Sequence, residues 1–177
     1  MSSVFSRPGD AAQPDAPQQY LTFTLADEVF AVGTRSVREI IEYGHLTPVP
    51  MMPPCVLGVI NLRGGVVPIM DLRQRLGAGN TAISRRSCIV ILEVERDDLR
   101  QVMGILVEAV NAVVEIGTQD IEPAPRFGAR IRTDFIHGMA KLDGRLVVLL
   151  DIGQVLSLDD LQRLAEVGTT ADLQQSA

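Results

Sequence analysis

The sequence has little cysteine and little positive charge. Its two cysteines, Cys55 in a proline-rich segment and Cys88 at the start of an apolar run, provide no disulfide framework, and in a reducing compartment both are expected to be thiols. Sixteen Lys and Arg against 22 Asp and Glu give a formal net charge of −6. No basic surface for nucleic acid or anionic lipid is therefore expected, and proteins or small molecules are the predicted partners.

Long uninterrupted apolar runs are also missing. The most hydrophobic region, residues 102–116, is interrupted by Glu108, Asn111 and Glu115, which argues against a membrane-spanning helix. The N-terminus lacks the apolar core of a signal peptide. These two features predict a soluble, cytoplasmic protein.

Motifs of catalysis and ligand binding are missing as well. No glycine-rich phosphate loop occurs, and the two histidines, His45 and His137, do not lie at zinc-ligand spacing from each other or from the cysteines. No metal or cofactor is therefore predicted. Asp71 and Asp151 are conceivable catalytic carboxylates, in a small enzyme with a histidine across a groove, but capping of short helices is the favoured interpretation.

What the sequence does contain is an internal repeat. Residues 58–76 align with residues 138–156 at a constant offset of 80, with seven identities in nineteen positions. The identical pairs are Gly58/Gly138, Leu62/Leu142, Gly64/Gly144, Val67/Val147, Asp71/Asp151, Gln74/Gln154 and Leu76/Leu156. Residues shared by the copies are expected to be structural, and residues found in one copy are better candidates for function.

Short apolar segments with turn residues between them predict a series of β-hairpins. The predicted hairpins cover residues 20–32, 59–70, 88–107 and 139–150. Residues 36–43 are predicted to be a helical turn that gives way to a strand, and residues 46–55, with four prolines, a loop. Pro68 predicts that its strand lies at the edge of a sheet. This pattern indicates a mainly β fold of two small barrels or sandwiches.

Composition and the repeat also predict the domain organisation. Residues 1–17 form a predicted disordered leader, and residues 18–157 the folded unit, divided into halves of roughly 18–83 and 84–157. Residues 158–167 form a predicted C-terminal helix with Leu158, Leu161 and Leu164 on one face, and residues 168–177 a flexible tail.

The most informative difference between the two copies is at Arg63. It occupies a hairpin corner where the second copy has Asp143, and Asn61-Leu62-Arg63 has no full counterpart there. Arg63 is either a solvated turn residue or a multi-donor contact to a partner protein. Met51 and Met52 either add apolar surface around that contact or fill the gap between the barrels.

Two segments together resemble a known family signature. Residues 58–64 (GVINLRG) and 67–73 (VPIMDLR) are similar to the signature of the CheW-like family of bacterial chemotaxis coupling proteins, and the similarity runs from Gln18 to Leu156. The resemblance implies two intertwined SH3-like five-stranded β-barrels that exchange strands, with short helices and a C-terminal helix. Gly65, where many relatives have a larger residue, is expected to loosen the corner.

The resemblance also implies a function. It predicts a non-catalytic adaptor that couples the cytoplasmic tip of chemoreceptors to the regulatory domain of the histidine kinase CheA, with contacts to other coupling-protein copies in array rings. It places the protein in the cytoplasm, recruited to the inner face of the membrane through the receptors. A scaffold of a pilus-motility or other chemosensory pathway is the alternative. The implied receptor-binding residues are Asn61, Leu62, Arg63 and Gly64, with Gly58, Val37 and Glu39 nearby.

Overall fold

A computed structural model describes residues 16–96, 98–124 and 133–157 of the chain. The predicted C-terminal helix and tail, and nearly all of the predicted leader, lie outside these residues. Among the described residues, no helix is long and apolar enough to cross a membrane.

The described residues form strands with very little helix. The strands are β1 (Gln18–Leu25), β2 (Glu28–Gly33), β3 (Val37–Glu42), β4 (Val56–Leu62), β5 (Gly65–Asp71), β6 (Cys88–Arg96), β7 (Leu99–Val107), β8 (Ala109–Ile116), β9 (Ile121–Glu122), β10 (Ile136–Leu142) and β11 (Arg145–Leu150). Two single-turn helices follow β5 and β11, namely α1 (Leu72–Arg75) and α2 (Ile152–Val155). Short 3-10 turns lie at Thr34–Ser36, Thr118–Asp120 and Thr133–Phe135.

The strands make two sheets, and each sheet takes strands from both sequence repeats. The sheet of the central barrel has the order β3-β6-β7-β5-β4, and the sheet of the terminal barrel has the order β8-β1-β2-β11-β10-β9. The β1–β2 hairpin of the first repeat thus pairs with strands of the second, and β6–β7 of the second pairs with strands of the first. The predicted mainly β fold with exchanged strands is confirmed; five strands were predicted for each barrel, and the terminal sheet has six because the two-residue strand β9 adds to its edge.

Within residues 16–96, 98–124 and 133–157, the chain crosses between the two barrels at two points. The central barrel is built from the continuous segment 37–107, whereas the terminal barrel combines residues 18–33 with residues 109–150. The crossovers are the turn Thr34–Ser36 and the single residue Glu108, between β7 and β8. In the sequence, the segment of the central barrel is therefore inserted between the two segments of the terminal barrel.

The sequence repeat is preserved in the structure. β10 lies 80 positions after β4 in the sequence, and α2 lies 80 positions after α1. Asp71 and Asp151 cap the two helices, each accepting a hydrogen bond of 3.3 Å from the backbone N–H of Gln74 or Gln154. The predicted capping role of both aspartates is confirmed.

Two-residue turns with positive φ connect the hairpins. Ala26 and Asp27 have φ of 50° and 63°, Arg63 and Gly64 have 52° and 83°, and Asp143 and Gly144 have 50° and 79°. Positive φ at both central residues is the type I′ geometry, whose twist matches that of the flanking strands. The hairpins predicted at these three places are confirmed.

One local prediction is wrong, and another is confirmed at a slightly earlier position in the chain. The strand that contains Pro68 is not an edge strand, because β5 lies between β4 and β7. Its pairing with β7 begins at Ile69, so the missing N–H of Pro68 costs no hydrogen bond on that side. The helical turn predicted within residues 36–43 ends at Ser36, and β-branched Val37 already begins β3.

Three apolar cores lie among the residues that the structure describes. On β6, Ile89 and Ile91 face the interior of the central barrel, whereas Val90 and Leu92 face a core between the barrels. The core between the barrels is the largest, and its members include Phe23, Phe30, Met70, Ile105, Phe135 and Leu150. A smaller core containing Tyr20, Ala31 and Leu149 fills the terminal barrel. Residues 88–92 of β6 are apolar on both faces of the strand, in agreement with the burial of both faces there.

Candidate partner-binding site

Arg63 projects from the tip of the β4–β5 hairpin and forms an ion pair with Glu39 on β3. The Nη1–Oε1 distance is 3.0 Å, and Nη2 donates a second hydrogen bond of 3.1 Å to Oε2. The Arg63 side chain is nevertheless 75% exposed. A two-pronged guanidinium–carboxylate contact fixes the orientation of an otherwise flexible side chain.

This ion pair joins the two outer strands of the central sheet. β3 and β4 lie at opposite ends of the strand order, and the contact between Glu39 and the end of β4 brings them together. The second copy has Asp143 in place of Arg63, and Ala112 corresponds to Glu39 when residues 110–115 are aligned with 37–42. The ion pair is therefore a feature of the central barrel that the repeat does not reproduce.

Asn61 and Gly64 complete the corner. The backbone N–H of Gly64 donates a 3.1 Å hydrogen bond to Oδ1 of Asn61, which stabilises the turn that carries Arg63. Gly65 is the first residue of β5, pairs with Leu62 and has no left-handed φ. The turn proper is Arg63-Gly64, so Gly65 is held by a strand pairing.

The other three predicted residues face inward. Leu62 is partly buried against the interior of the central barrel, and Val37 is partly buried against the core between the barrels. Gly58 is buried with φ of 155°, and a Cβ there would lie 2.5 Å from the carbonyl oxygen of Thr47. The structure thus brings together Asn61, Arg63, Gly64 and Glu39, and does not bring Leu62, Val37 and Gly58 to the same surface.

Gly58 has a structural task beside the corner. Thr47 and Val59 exchange two backbone hydrogen bonds of 2.9 Å, which fasten the proline-rich loop to β4. Only a residue without a side chain allows Thr47 this close at position 58. On the same loop, Met51 and Met52 are 73% and 42% exposed. They lie outside the core between the barrels, so the interpretation that they fill that gap is wrong.

The two candidate catalytic carboxylates are engaged in structural contacts. Asp71 is buried, accepts a 3.0 Å hydrogen bond from the backbone N–H of Thr81 and a second one from its hydroxyl, and caps α1. Within the described residues, no hydrogen bond joins His45 or His137 to Asp71 or Asp151, and both histidines are exposed. No group of three or more His, Cys, Asp and Glu residues in this part of the chain is placed to hold a metal ion.

Two residues that the sequence analysis passed over are the arginines of α1. Arg73 forms an ion pair with Glu108, and Arg75 is buried with hydrogen bonds to the backbone of α2. A signal was available in the repeat itself, because the second copy has Gly153 and Val155 at these positions.

The fold and this corner define the class of the molecule: a two-barrel β-protein with exchanged strands and a hairpin corner whose arginine has no counterpart in the second repeat. Residues 19–160 match the family model described as the CheW-like domain. The chain belongs to the CheW-like family.

Relatives of known sequence and structure support the same assignment. The chain is 33% identical over 143 residues to the chemotaxis protein CheW of Rhizobium meliloti. The aligned region covers 81% of this chain and 90% of that protein. It is 34% identical over 140 residues to the probable chemotaxis protein CheW of Rhizobium etli, covering 79% and 88%.

A solved structure agrees with the fold. The crystal structure of the scaffolding protein TtCheW from Thermoanaerobacter tengcongensis matches with a TM-score of 0.72 and 31% identity, over 83% of this chain and 92% of that one. The predicted family, the two SH3-like barrels and a role in chemotaxis are confirmed.

Proposed function

We propose that this chain is a non-catalytic chemotaxis adaptor that binds the cytoplasmic tip of a chemoreceptor through the Arg63 corner and the regulatory domain of CheA through another surface. The carrying observation is the Arg63–Glu39 pair, in which an arginine is held in place and remains 75% exposed. Membership of the CheW-like family supports the choice of partners.

The corner has the properties of a recognition site. Nη1 and Nη2 of Arg63 bond to Glu39, and an arginine carries five N–H donors in a planar fork. The exposed part of the guanidinium can donate to carboxylates or carbonyls on a receptor. Because Glu39 already fixes the side chain, less rotamer entropy is lost on binding than for a freely moving arginine.

Apolar surface lies on the elements that carry the corner. Val49 and Met51, on the loop fastened to β4, are 38% and 73% exposed. A charged anchor with adaptable apolar side chains on adjoining elements suits a helical hairpin with mixed surface chemistry. Val37, Leu62 and Gly58 support this surface from behind and shape it without direct contact.

The proposal includes further expectations about partners and place. The adaptor works in the cytoplasm, recruited to the inner face of the membrane through the receptors, and it contacts other coupling-protein copies in array rings. It uses no cofactor or metal. The structural use of Asp71 and Asp151 as helix caps supports a role without catalysis.

Capture of a receptor fragment tests the site. Arg63→Glu places a carboxylate beside Glu39 and is expected to weaken capture of a purified receptor cytoplasmic fragment at least about tenfold, as for loss of an interface hot spot. Arg86→Glu, the same charge change at another exposed arginine, is the matched control and should leave capture unchanged. Undiminished capture by folded Arg63→Glu would contradict the proposed site.

A second candidate function is a scaffold in a different chemosensory pathway. The chain is also 28% identical over 148 residues to the protein FrzA of Myxococcus xanthus, covering 82% of this chain and 89% of that protein. Co-purification of the tagged chain from its native cell, with identification of the receptor and kinase recovered, distinguishes the two. Recovery of flagellar chemotaxis partners supports the first, and recovery of another receptor–kinase set supports the second.

A further inference from the structure

The helices α1 and α2 are equivalent in the repeat, but only α1 carries arginines. Arg73 and Arg75 correspond to Gly153 and Val155 at the offset of 80. Neither arginine is needed to form the helix, since α2 has the same aspartate cap without them. Because Arg73 and Arg75 occur in one copy only, α1 makes contacts through them that α2 does not.

Arg75 reaches from the central barrel into the terminal barrel. Its Nε donates to the carbonyl oxygen of Val155 at 2.8 Å, and its Nη2 donates to that of Gln154 at 3.2 Å. The guanidinium carbon also lies 4.6 Å from the ring centroid of Phe135, which precedes β10. Arg75 is only 6% exposed, so these contacts are shielded from water.

A third bond to the same helix end comes from β7 of the central barrel. Nε2 of Gln101 donates to the carbonyl oxygen of Leu156 at 2.9 Å. The last carbonyls of a helix have no partner within it. Here the carbonyls of Gln154, Val155 and Leu156 all accept hydrogen bonds from side chains of the other barrel.

Arg73 holds the crossover between β7 and β8. Its Nη1 lies 3.0 Å from Oε1 of Glu108, the one residue between those strands, and its Nε donates to the carbonyl oxygen of Ala78 at 2.7 Å. The backbone N–H of Glu108 in turn donates to the carbonyl oxygen of Thr24 on β1 at 3.2 Å. The crossover is thus fixed to the central barrel on one side and to the terminal barrel on the other.

We propose that Arg73 and Arg75 are positioning residues that set the angle between the two barrels; together they are called the α1 clasp. The barrels are joined by two short crossovers and by an apolar core. Apolar packing has little directional preference, whereas hydrogen bonds have strict geometry. The clasp therefore supplies directional contacts at the joint. Its consequence for signalling rests on the proposed adaptor function, with receptor and kinase held at a fixed relative orientation.

A distance between the barrels tests the clasp without any partner. Val66 and Leu146 are equivalent positions on β5 and β11 and are 70% and 61% exposed, so Val66→Cys and Leu146→Cys can carry spin labels. All labelled proteins also carry Cys55→Ala and Cys88→Ser, so that the spin labels attach only to the two introduced cysteines. Double electron–electron resonance should give one narrow distance distribution for the doubly labelled parent. The same labelled protein with Arg75→Met should give a shifted or broadened distribution. Arg86→Met, at an exposed loop arginine, is the matched control and should retain the parent distribution.

A second variant covers the case in which Arg75→Met does not fold. The side chain of Arg73 is 28% exposed, so Arg73→Gln is expected to fold and to broaden the distribution. Parent-like distributions in every folded clasp variant would overturn the proposal.

Binding measurements separate the clasp from the proposed function. Clasp variants should bind a receptor fragment or the kinase regulatory domain singly as well as the parent does, and should assemble both together on the order of tenfold less well. A broadened distribution with unchanged joint assembly would support the clasp and overturn its link to signalling. If the parent protein binds neither the receptor fragment nor the kinase regulatory domain, or only one of them, the proposed function is contradicted. The distance measurement is unaffected by that outcome.

Discussion

Arg75 donates a hydrogen bond of 2.8 Å to the backbone of Val155, the residue that occupies its own place in the other copy of the repeat. The two copies therefore meet at equivalent positions of their helices. At such a point a symmetric pair of arginines would bring like charges together. One copy supplies the buried cation and the other supplies the carbonyls, so the asymmetry makes the contact favourable.

The ion pair at the corner can be inverted. In Arg63→Glu/Glu39→Arg the charge pair is restored, so the free energy of unfolding should stay within about 1 kcal/mol of the parent, the usual scale for an exposed pair. Receptor capture should remain weak, because the guanidinium now starts from β3 and not from the hairpin tip. Urea denaturation and receptor capture measure the two effects. Full recovery of capture would show that the charge pair, and not the position of Arg63, is what the receptor requires.

Gly58 should tolerate no side chain. Gly58→Ala combines a φ of 155° with a Cβ 2.5 Å from the carbonyl oxygen of Thr47, so the loop must separate from β4. We expect a loss of about 2–4 kcal/mol in the free energy of unfolding, from strain and overpacking. Gly65→Ala is the matched control in the same hairpin, since its Cβ would be 3.5 Å from its nearest neighbour. Equal stabilities of the two variants by urea denaturation would contradict this account.

The two capping aspartates should differ in their contribution to stability. Asp151→Ala removes one cap hydrogen bond and should cost about 1 kcal/mol in the free energy of unfolding. Asp71→Ala also leaves Thr81 without its buried partner and should cost about 3 kcal/mol. Denaturant titration of both variants gives the comparison. A larger loss for Asp151→Ala would show that the contacts of Asp71 to Thr81 are not stabilising.

Alkaline pH should destabilise the terminal barrel through Tyr20. Burial raises the pKa of Tyr20 above its ordinary value of 10.0, because the phenolate is disfavoured away from water. The unfolded chain releases this proton first, so the free energy of unfolding falls as the pH rises above 10.0. Tyr20→Phe should lose part of this fall. An identical alkaline dependence in parent and variant, measured by chemical denaturation, would assign the effect to other groups.

The sequence was informative where local chemistry decides the structure. Positive-φ turns, aspartate caps and alternating apolar strands can be recognised within a few residues, and the hairpins, caps and fold class were predicted correctly. The edge assignment of Pro68 failed because it depends on where β7 begins to pair, which is set by the register of a distant strand. Likewise, the pairing of Arg63 with Glu39 and the inward orientation of Val37 follow from barrel closure and a β-bulge, which no neighbouring residue signals.

The nesting of one barrel within the other imposes an order on biosynthesis. β1 and β2 are made first and can form their hairpin at once, but their outer neighbours β8 and β11 follow only after the whole segment 37–107 has been synthesised. The central barrel can pair all its strands in that interval. A nascent chain that stalls between β8 and β11 thus carries a finished central barrel and a first hairpin with β2 unpaired on one side, an edge that can pair with wrong partners.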